Sequence, residues 1–559
     1  MRGKTNIISF HLKLCITVLY CIAFDSVFAQ GDQRFIWPID SPFVMTANYG
    51  ELRPNHFHTG IDFTTHGEIK RPVYSIYEGY VSRVRVSPTG YGNCVYITHP
   101  NGKVSVYAHL TAFSLKIDKV VRDYRRDTQS NEVELLPKPR LYVRKNEIIG
   151  LSGNSGNSTG PHLHFEIRDE ISEVPLNPLL FYKIKDKTPP KVERLAIFDL
   201  ADTLNPRLLK TIHVKTNARD SIYLENDHIE TQSSIVGFAF SGLDRFTNTG
   251  SPNNIFAVSI DIDDLPFYGH KLNNIPFSDS RYINEYYDEI DRHKFQKCFM
   301  PTIFPAGMYD YTFTRGRTLL DTSRHKVLIT FSDECGNSKR LLFYIRPKKS
   351  NYYEEPNFKS DVFVNCMRDT VISQNDLQLT IPAASLFRSS YLELTRQFDK
   401  GNLSIGPYLN LRQAIKVSFK IPEKFSTSPN KLVLVGSTTG TSIATVRNDS
   451  LIFTIKNLGN FKLMYDTAPP RIKIRHTPKQ IANAWEMEAF SFTITDELSG
   501  IAKYNLWINN TWVQCDYDAK NDELIYYFDE ESPFGLLNFK LEVEDKCGNK
   551  REFDYLLKK

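Results

Sequence analysis

Four side chains in two short segments stand at spacings suited to metal chemistry. In HFHTGIDF, His58 and Asp62 lie four residues apart across a glycine turn, and in GPHLHFEIR, His162 and His164 lie two apart on a predicted strand. Residues i and i+2 of a strand face the same way, so both imidazoles can point into one cleft. Three protein ligands and a water complete a tetrahedral catalytic zinc site, and a mixed set of histidines and a carboxylate is one way to supply them. Four-residue spacing is unspecific by itself, because a helix gives the same proximity. Concentration adds to spacing: seven of the 14 histidines, His56, His58, His66, His99, His109, His162 and His164, fall between residues 50 and 170.

The elements that must hold these side chains are predicted to be strands. Composition is that of folded protein, 41% hydrophobic and 24% charged, with an aromatic excess of 37 Phe and 29 Tyr that favours sheet over helix. At 559 residues the chain exceeds what one hydrophobic core organises, so several domains are expected.

Residues 1–29 read as a secretory signal: Arg2 and Lys4 precede an apolar stretch around Leu14 to Phe24, and Val27-Phe28-Ala29 sets cleavage after Ala29. The apolar run is interrupted by Asp25 and falls short of the roughly 20 residues of a bilayer span, so no membrane span is expected after signal removal. Cleavage removes Arg2, Lys4, Lys13 and Asp25 and leaves 66 basic against 63 acidic residues, a balance that selects no partner. Export to the periplasm or cell surface would carry Cys94, Cys298, Cys335, Cys366, Cys515 and Cys547 to where disulfides persist.

Further along, the chain repeats itself. DKTPPKV (186–192) and DTAPPRI (466–472) open two segments that close on VLITFSDECGNSKRLLFYI (327–345) and FKLEVEDKCGNKREFDYLL (539–557), each an alternating strand, a Gly-Asn turn and another strand. Inside them, FAFSGLDRFTNTG and FTITDELSGIAKYNLWI both set a strand before a glycine-containing turn. Such modules resemble immunoglobulin-like β-sandwiches, and their matched cysteines suggest the pairs Cys298 with Cys335 and Cys515 with Cys547. Residues 350–465 alternate as strands of a further β-sandwich. No segment of this C-terminal two-thirds assembles a catalytic constellation, and none interleaves basic with aromatic residues as nucleic-acid binding requires.

Around the histidines, four blocks occur in a familiar order. YGELRPNHFHTGIDF, RPVYSIYEGYVSRV, GYGNCVYITHPNGKVSVYAHL and IIGLSGNSGNSTGPHLHFEIR together resemble the lysostaphin-type zinc endopeptidases that hydrolyse peptidoglycan cross-bridges. The resemblance implies an antiparallel β-groove zinc peptidase domain over 30–185; with the repeats and alternating strands behind it the chain is expected to be mainly β, its tandem β-sandwich modules lying over 186–349, 350–465 and 466–559. It implies zinc held by His58, Asp62 and His164, with His109 and His162 flanking a zinc-bound water, the nucleophile. Zinc lowers the pKa of such a water to about 7, and an imidazole donor can help stabilise the oxyanion formed on the peptide carbonyl. Which of the two histidines takes the proton stays open.

The expected substrate is peptidoglycan, its stem peptides or cross-bridges, with a protein partner in the envelope at the β-modules. The alternative is a catalytically silent scaffold or regulator that binds through the same groove. His56 and His66 are expected at the rim, His99 exposed in the turn THPNG, and Cys94 packed. Glu166 would share a face with His164, either orienting it or standing as a strand-edge carboxylate. Residues 112–145 form a basic insert relative to the family pattern, suited to narrowing the groove, meeting the anionic wall or binding a partner. Asn146 replaces a family glycine at a turn.

Overall fold

Period-two burial runs through the strands, and the computed structural model pairs them almost wholly antiparallel, with His228–Thr231 parallel to Ser338–Pro347. It describes residues 35–202, 204–246, 252–311, 314–348, 362–397, 400–437, 440–475 and 488–559. The expected signal lies outside them. Among the described residues, no helix is long and apolar enough to cross a membrane.

The histidine-rich region is built on one sheet whose main path runs Val44–Ala47, Ile61–Thr64, His162–Asp169, Lys103–Leu110, Asn93–Thr98, Gly79–Val86 and Val133–Leu135. One face carries Ile61, Phe63, Tyr107, Leu163, Phe165 and Ile167 into a shared core. Strand parity then turns Asp62, His162, His164 and Glu166 to the other face. Register completes the placement, because His164 pairs with Asp62 on one side and with Ala108 on the other.

The region from 186 to 348 sets one sheet, including Lys191–Asp199 and Ile235–Leu243, against a second containing Ala257–Ile262, His325–Ser332 and Ser338–Pro347. Both expected hairpins form: His325–Ser332 pairs with Ser338–Pro347, and Leu536–Asp545 with Lys550–Lys558. Gly336 and Gly548 take left-handed backbone at their turns (φ 87° and 76°). The turn after FAFSGLD lies partly outside the described residues. Residues 362–465 form one nine-stranded sheet that runs through the long strands Asn402–Lys420 and Ser450–Tyr465. Residues 471–558 form two four-stranded sheets over a separate core.

Hydrophobic packing crosses the boundary expected at residue 185. Tyr49 and Phe57 are fully buried in the same core as Leu272, Tyr286 and Phe240 of the following module. Full burial of such an aromatic contributes about 1.5–3 kcal/mol, which fixes the peptidase-like region against its neighbour. The asparagines of that seam exchange hydrogen bonds: Asn48 Nδ2 donates to Asn254 O (3.2 Å) and Asn254 N–H to Asn48 Oδ1 (3.1 Å).

The basic insert has an intramolecular role. It contributes the helix Leu115–Thr128 and two short strands, Val133–Leu135 and Leu141–Val143, that extend the main sheet along Gly79–Val86. Much of its charge is matched locally: Lys119 and Arg126 pair with Asp123, and Arg122 with Asp118. Buried Arg125 instead reaches Asp516 of the C-terminal module (2.8 Å). Asn131 donates to Tyr504 O (2.9 Å) and accepts from Cys515 N–H (2.8 Å). Arg281, which donates to Leu411 O, and Lys431, which donates to Cys547 O, are among the contacts that join the other regions, so the four regions close into a ring. Asn146 takes the turn conformation expected of it (φ 66°).

The six described cysteines are free thiols, which overturns both suggested disulfides. Cys298 is sealed in the module core while Cys335 sits exposed at a hairpin tip. Cys515 is likewise sealed in the core of the C-terminal module, a cluster that Cys547 does not join.

Asn131→Ala leaves a buried C=O and N–H unpaired, at a cost of about 1–3 kcal/mol to docking of the C-terminal module. Amide exchange across 115–128 and at Cys515 should then accelerate by tenfold or more; unchanged protection would show that this contact does not hold the ring closed.

Candidate metal centre and active site

The turn between His58 and Asp62 is tight because Gly60 has no side chain. A Cβ there would stand 2.4 Å from Phe165 O and 3.0 Å from His164 Cε1. That clearance brings His58, from the turn, to the same point as Asp62 and His164 of two adjacent strands. His58 Nε2 lies 3.0 Å from Asp62 Oδ1, His164 Nδ1 lies 2.9 Å from the same oxygen, and the two nitrogens are 2.9 Å apart. All three residues are buried.

Hydrogen bonding on the far side of each ring decides what faces inward. His58 Nδ1 stands 2.8 Å from Asn48 O and must donate to it, so its Nε2 is a bare lone pair. His164 Nε2 stands 2.9 Å from Glu166 Oε1, a carboxylate held ionised, so its Nδ1 is bare as well. Three acceptors therefore face one another at 3 Å. A proton or a cation has to lie among them. Without a cation, burial works against protonating His164, but Asp62 and Glu166 outweigh it and lift its pKa to about 9. Two imidazole nitrogens and a carboxylate oxygen are zinc donors, and at Zn–N distances of about 2.0–2.1 Å a tetrahedral ion asks for ligand atoms about 3.3 Å apart. The residues fit the ion.

Glu166 is no strand-edge carboxylate. It is fully buried, and burial alone would raise its pKa; Arg168, His164 and Thr59 outweigh that and hold it well below the usual range. Its Oε1 also accepts from Thr59 Oγ1 and Tyr91 OH (2.6 Å each), and its Oε2 from Arg168 Nε (2.6 Å). On the opposite flank, Arg53 Nη2 holds Asp62 Oδ2 at 2.6 Å and leaves Oδ1 for the cluster.

His109 and His162 stand beside the three donors, their rings 4.8 Å apart. His162 Nδ1 donates to Gly160 O (2.8 Å), and its buried Nε2, 3.6 Å from Asp62 Oδ1, has no hydrogen-bond partner. His109 Nδ1 donates to Ser155 O (2.8 Å), while its backbone adopts a left-handed turn (φ 60°) at the end of Lys103–Leu110. Strain of this kind persists only where surrounding structure enforces it, here through the His109 N–H bond to Tyr91 O. Burial pushes His109 down to about 3, with His164 and His162 adding to the effect, so it is neutral at ordinary pH.

These groups open on a polar cleft of about 460 Å³ lined by Glu51, Arg53, Asp62, His109, Ser158 and His162. A larger cavity, about 600 Å³, lies between the insert and the C-terminal module and holds none of the clustered donors. The five expected site residues thus come together. His56 and His66 are exposed, and Cys94 is buried. His99 departs from expectation: it is buried, with Nδ1 bonded to Glu78 O (2.9 Å) and Nε2 to Ser105 Oγ (2.7 Å). A histidine at the end of a strand has those cross-strand partners within reach, and a turn motif conceals them. Asn48, Thr59, Tyr91 and Arg168 were not singled out for their site contacts; Arg168 alone carried a periodic signal, being two residues beyond Glu166.

Comparison with known proteins adds the class. Residues 56–124 and 131–178 match Peptidase family M23, the break falling at the end of the insert helix, where Arg125 sits. The DD-carboxypeptidase/endopeptidase Mpg of Neisseria meningitidis serogroup B is 38% identical over 122 residues, 22% of this chain and 22% of its own length. The peptidoglycan DD-endopeptidase ShyA of Vibrio cholerae is 31% identical over 137 residues, 23% of this chain and 26% of its own. Among solved structures, the catalytic domain of the prophage-encoded M23 protein EnpA from Enterococcus faecalis is 30% identical over 26% of this chain and 95% of its own, with a TM-score of 0.20. Residues 56–124 and 131–178 thus match the M23 metallopeptidases, the lysostaphin-type family, and the chain spans about a quarter of the length of the curated relatives it matches.

Glu166→Gln removes the charge that keeps His164 Nδ1 bare. Zinc affinity, measured by competition with a chromophoric chelator, should fall about 10- to 100-fold; an unchanged affinity would show that Glu166 does not orient a ligand.

Proposed function

We propose that the chain is an exported zinc endopeptidase that hydrolyses peptide cross-links of peptidoglycan. The observation that carries the reading is the convergence of His58 Nε2, Asp62 Oδ1 and His164 Nδ1 with lone pairs facing one point inside a cleft. The relatives named as acting on peptidoglycan supply the substrate class. The leader-like pattern of residues 1–29 supports export. We take 30–185 as the peptidase domain and 186–349, 350–465 and 466–559 as immunoglobulin-like or related β-modules that position it.

A zinc ion bound by the three donors supplies Lewis acidity and lowers the pKa of water to about 7. The remaining chemistry belongs to the chain. His109 and His162 both enter with Nδ1 committed to a carbonyl, so both present Nε2 as an acceptor. One Nε2 takes the proton of the attacking water. That imidazole thereby becomes a donor for the oxyanion on the scissile carbonyl and for the leaving amine. Arg53 keeps Asp62 oriented through Oδ2, and the left-handed backbone at His109 aims its ring across the cleft at His162. Polar lining suits an extended peptide, whose backbone groups need partners on entering.

Purified sacculi decide between this reading and a silent scaffold. The mature, zinc-loaded chain should release muropeptides, while His164→Ala and chelator-treated protein should be slower by at least 1,000-fold, on the order of about 4 kcal/mol. Equal release by all three, or none by zinc-loaded protein, would reject the enzymatic reading.

A further inference from the structure

Each repeat contains a second kind of acid cluster that the peptidase chemistry leaves unused. In the first, Asp186 from DKTPP, Asp244 just beyond Ile235–Leu243 and Asp333 at the hairpin turn each place a carboxylate oxygen within 4.8 Å of the others. Asp466, Asp496 and Asp545 do the same at the corresponding positions of the second. Acidic groups alone do not make a site. What lies unsatisfied around the first cluster does.

Asp244 is 0% exposed, and no hydrogen bond of ordinary geometry reaches either of its oxygens. Its antiparallel bridge partner is Asn253, tied to it by N–H···O bonds of 2.9 and 2.8 Å, so the two side chains project to the same side. Asn253 is 4% exposed, and its Oδ1 and Nδ2 also have no partner. Oε2 of Glu334, beside Asp333, is a third unsatisfied buried group. Among the described residues no cation pairs with Asp244, Asp333 or Glu334. Burial drives Asp244 up to about 7, Asp333 adding its charge, and Glu334 up to about 8. In the second repeat the chain satisfies the corresponding oxygens: Gly500 N–H donates to Asp496 Oδ1 (2.7 Å) and Ser499 N–H to Asp466 Oδ2 (3.1 Å).

We propose that Asp186, Asp244 and Asp333 bind a calcium ion at the seam between the peptidase domain and the first β-module, with Asn253 Oδ1 as a further oxygen donor. The donor set is oxygen only, which favours a hard cation over zinc. Calcium accepts six to eight oxygens at about 2.3–2.6 Å, so two oxygens on one ion stand up to about 5 Å apart, the scale of this cluster. Bound there, the ion discharges the acids behind Glu334, whose Oε1 accepts from Asn48 and Asn177 of the peptidase domain (3.4 Å each). Asn48 is the residue whose carbonyl holds His58. The ion therefore braces the module against the wall of the metal centre.

The test uses the full mature chain, zinc-loaded and stripped of calcium, titrated with calcium chloride by calorimetry and followed by thermal melts. Saturable binding below about 1 mM and a calcium-dependent rise in Tm are expected. Asp244→Asn should weaken that binding at least tenfold, melt higher than the parent in chelator because a buried repulsion is gone, and lose the calcium-dependent rise. Asp333→Asn provides a second folded variant with the same loss of affinity. No saturable binding by the parent chain, or unchanged affinity in both variants, overturns the proposal. Hydrolysis is not measured, so the result stands apart from the peptidase reading.

Discussion

One buried carboxylate sets the terms for the rest of the domain. Asp62 Oδ1 sits about 3 Å from a nitrogen of His58 and of His164, with His162 Nε2 just beyond, while Arg53 occupies its other oxygen. Such a group, surrounded by acceptors, is costly to bury unless a positive charge lies at the centre. The neighbouring architecture answers that demand. Asn48 and Glu166 take the outer protons of the two rings, so that both inner nitrogens are free to ligate.

Those outer partners tie the centre to the whole molecule. Asn48 belongs to the seam with the first module, where Tyr49 and Phe57 enter a core they share with Leu272 and Tyr286. On the other side, Ser155 holds His109 in a loop whose neighbours Asn154 and Gly156 accept from Lys520 of the C-terminal module (2.5 and 3.4 Å). The β-modules thus touch both walls of the cleft, so removing one would alter metal-site packing as well as reach.

Parity made part of the site legible: strand residues two apart face alike, which sets His162, His164 and Glu166 on one face. The ligand set of His58, Asp62 and His164 was legible only through the resemblance to the lysostaphin-type family, since four-residue spacing is unspecific by itself. Hairpins at DECGN and DKCGN were legible for a similar local reason, since turn residues and alternation lie within one segment. Contacts between distant segments carried no such signal: Asn48 and Tyr91 meet their partners only through sheet register and docking. Matched cysteine spacing misled because it says nothing about depth, and Cys298 is buried where Cys335 is exposed. The docking of the basic insert was not legible for the same reason, since composition gives no sign that Asp118, Asp123 and Asp516 take up Arg122, Arg126 and Arg125.

X-ray absorption at the zinc edge on the mature, zinc-loaded protein tests the central claim most directly. The account predicts one zinc per chain with four nitrogen or oxygen neighbours at about 2.0–2.1 Å, two of them with the outer-shell scattering of imidazole, and no sulfur. Substoichiometric zinc, a sulfur shell near about 2.3 Å, or a single imidazole would contradict it.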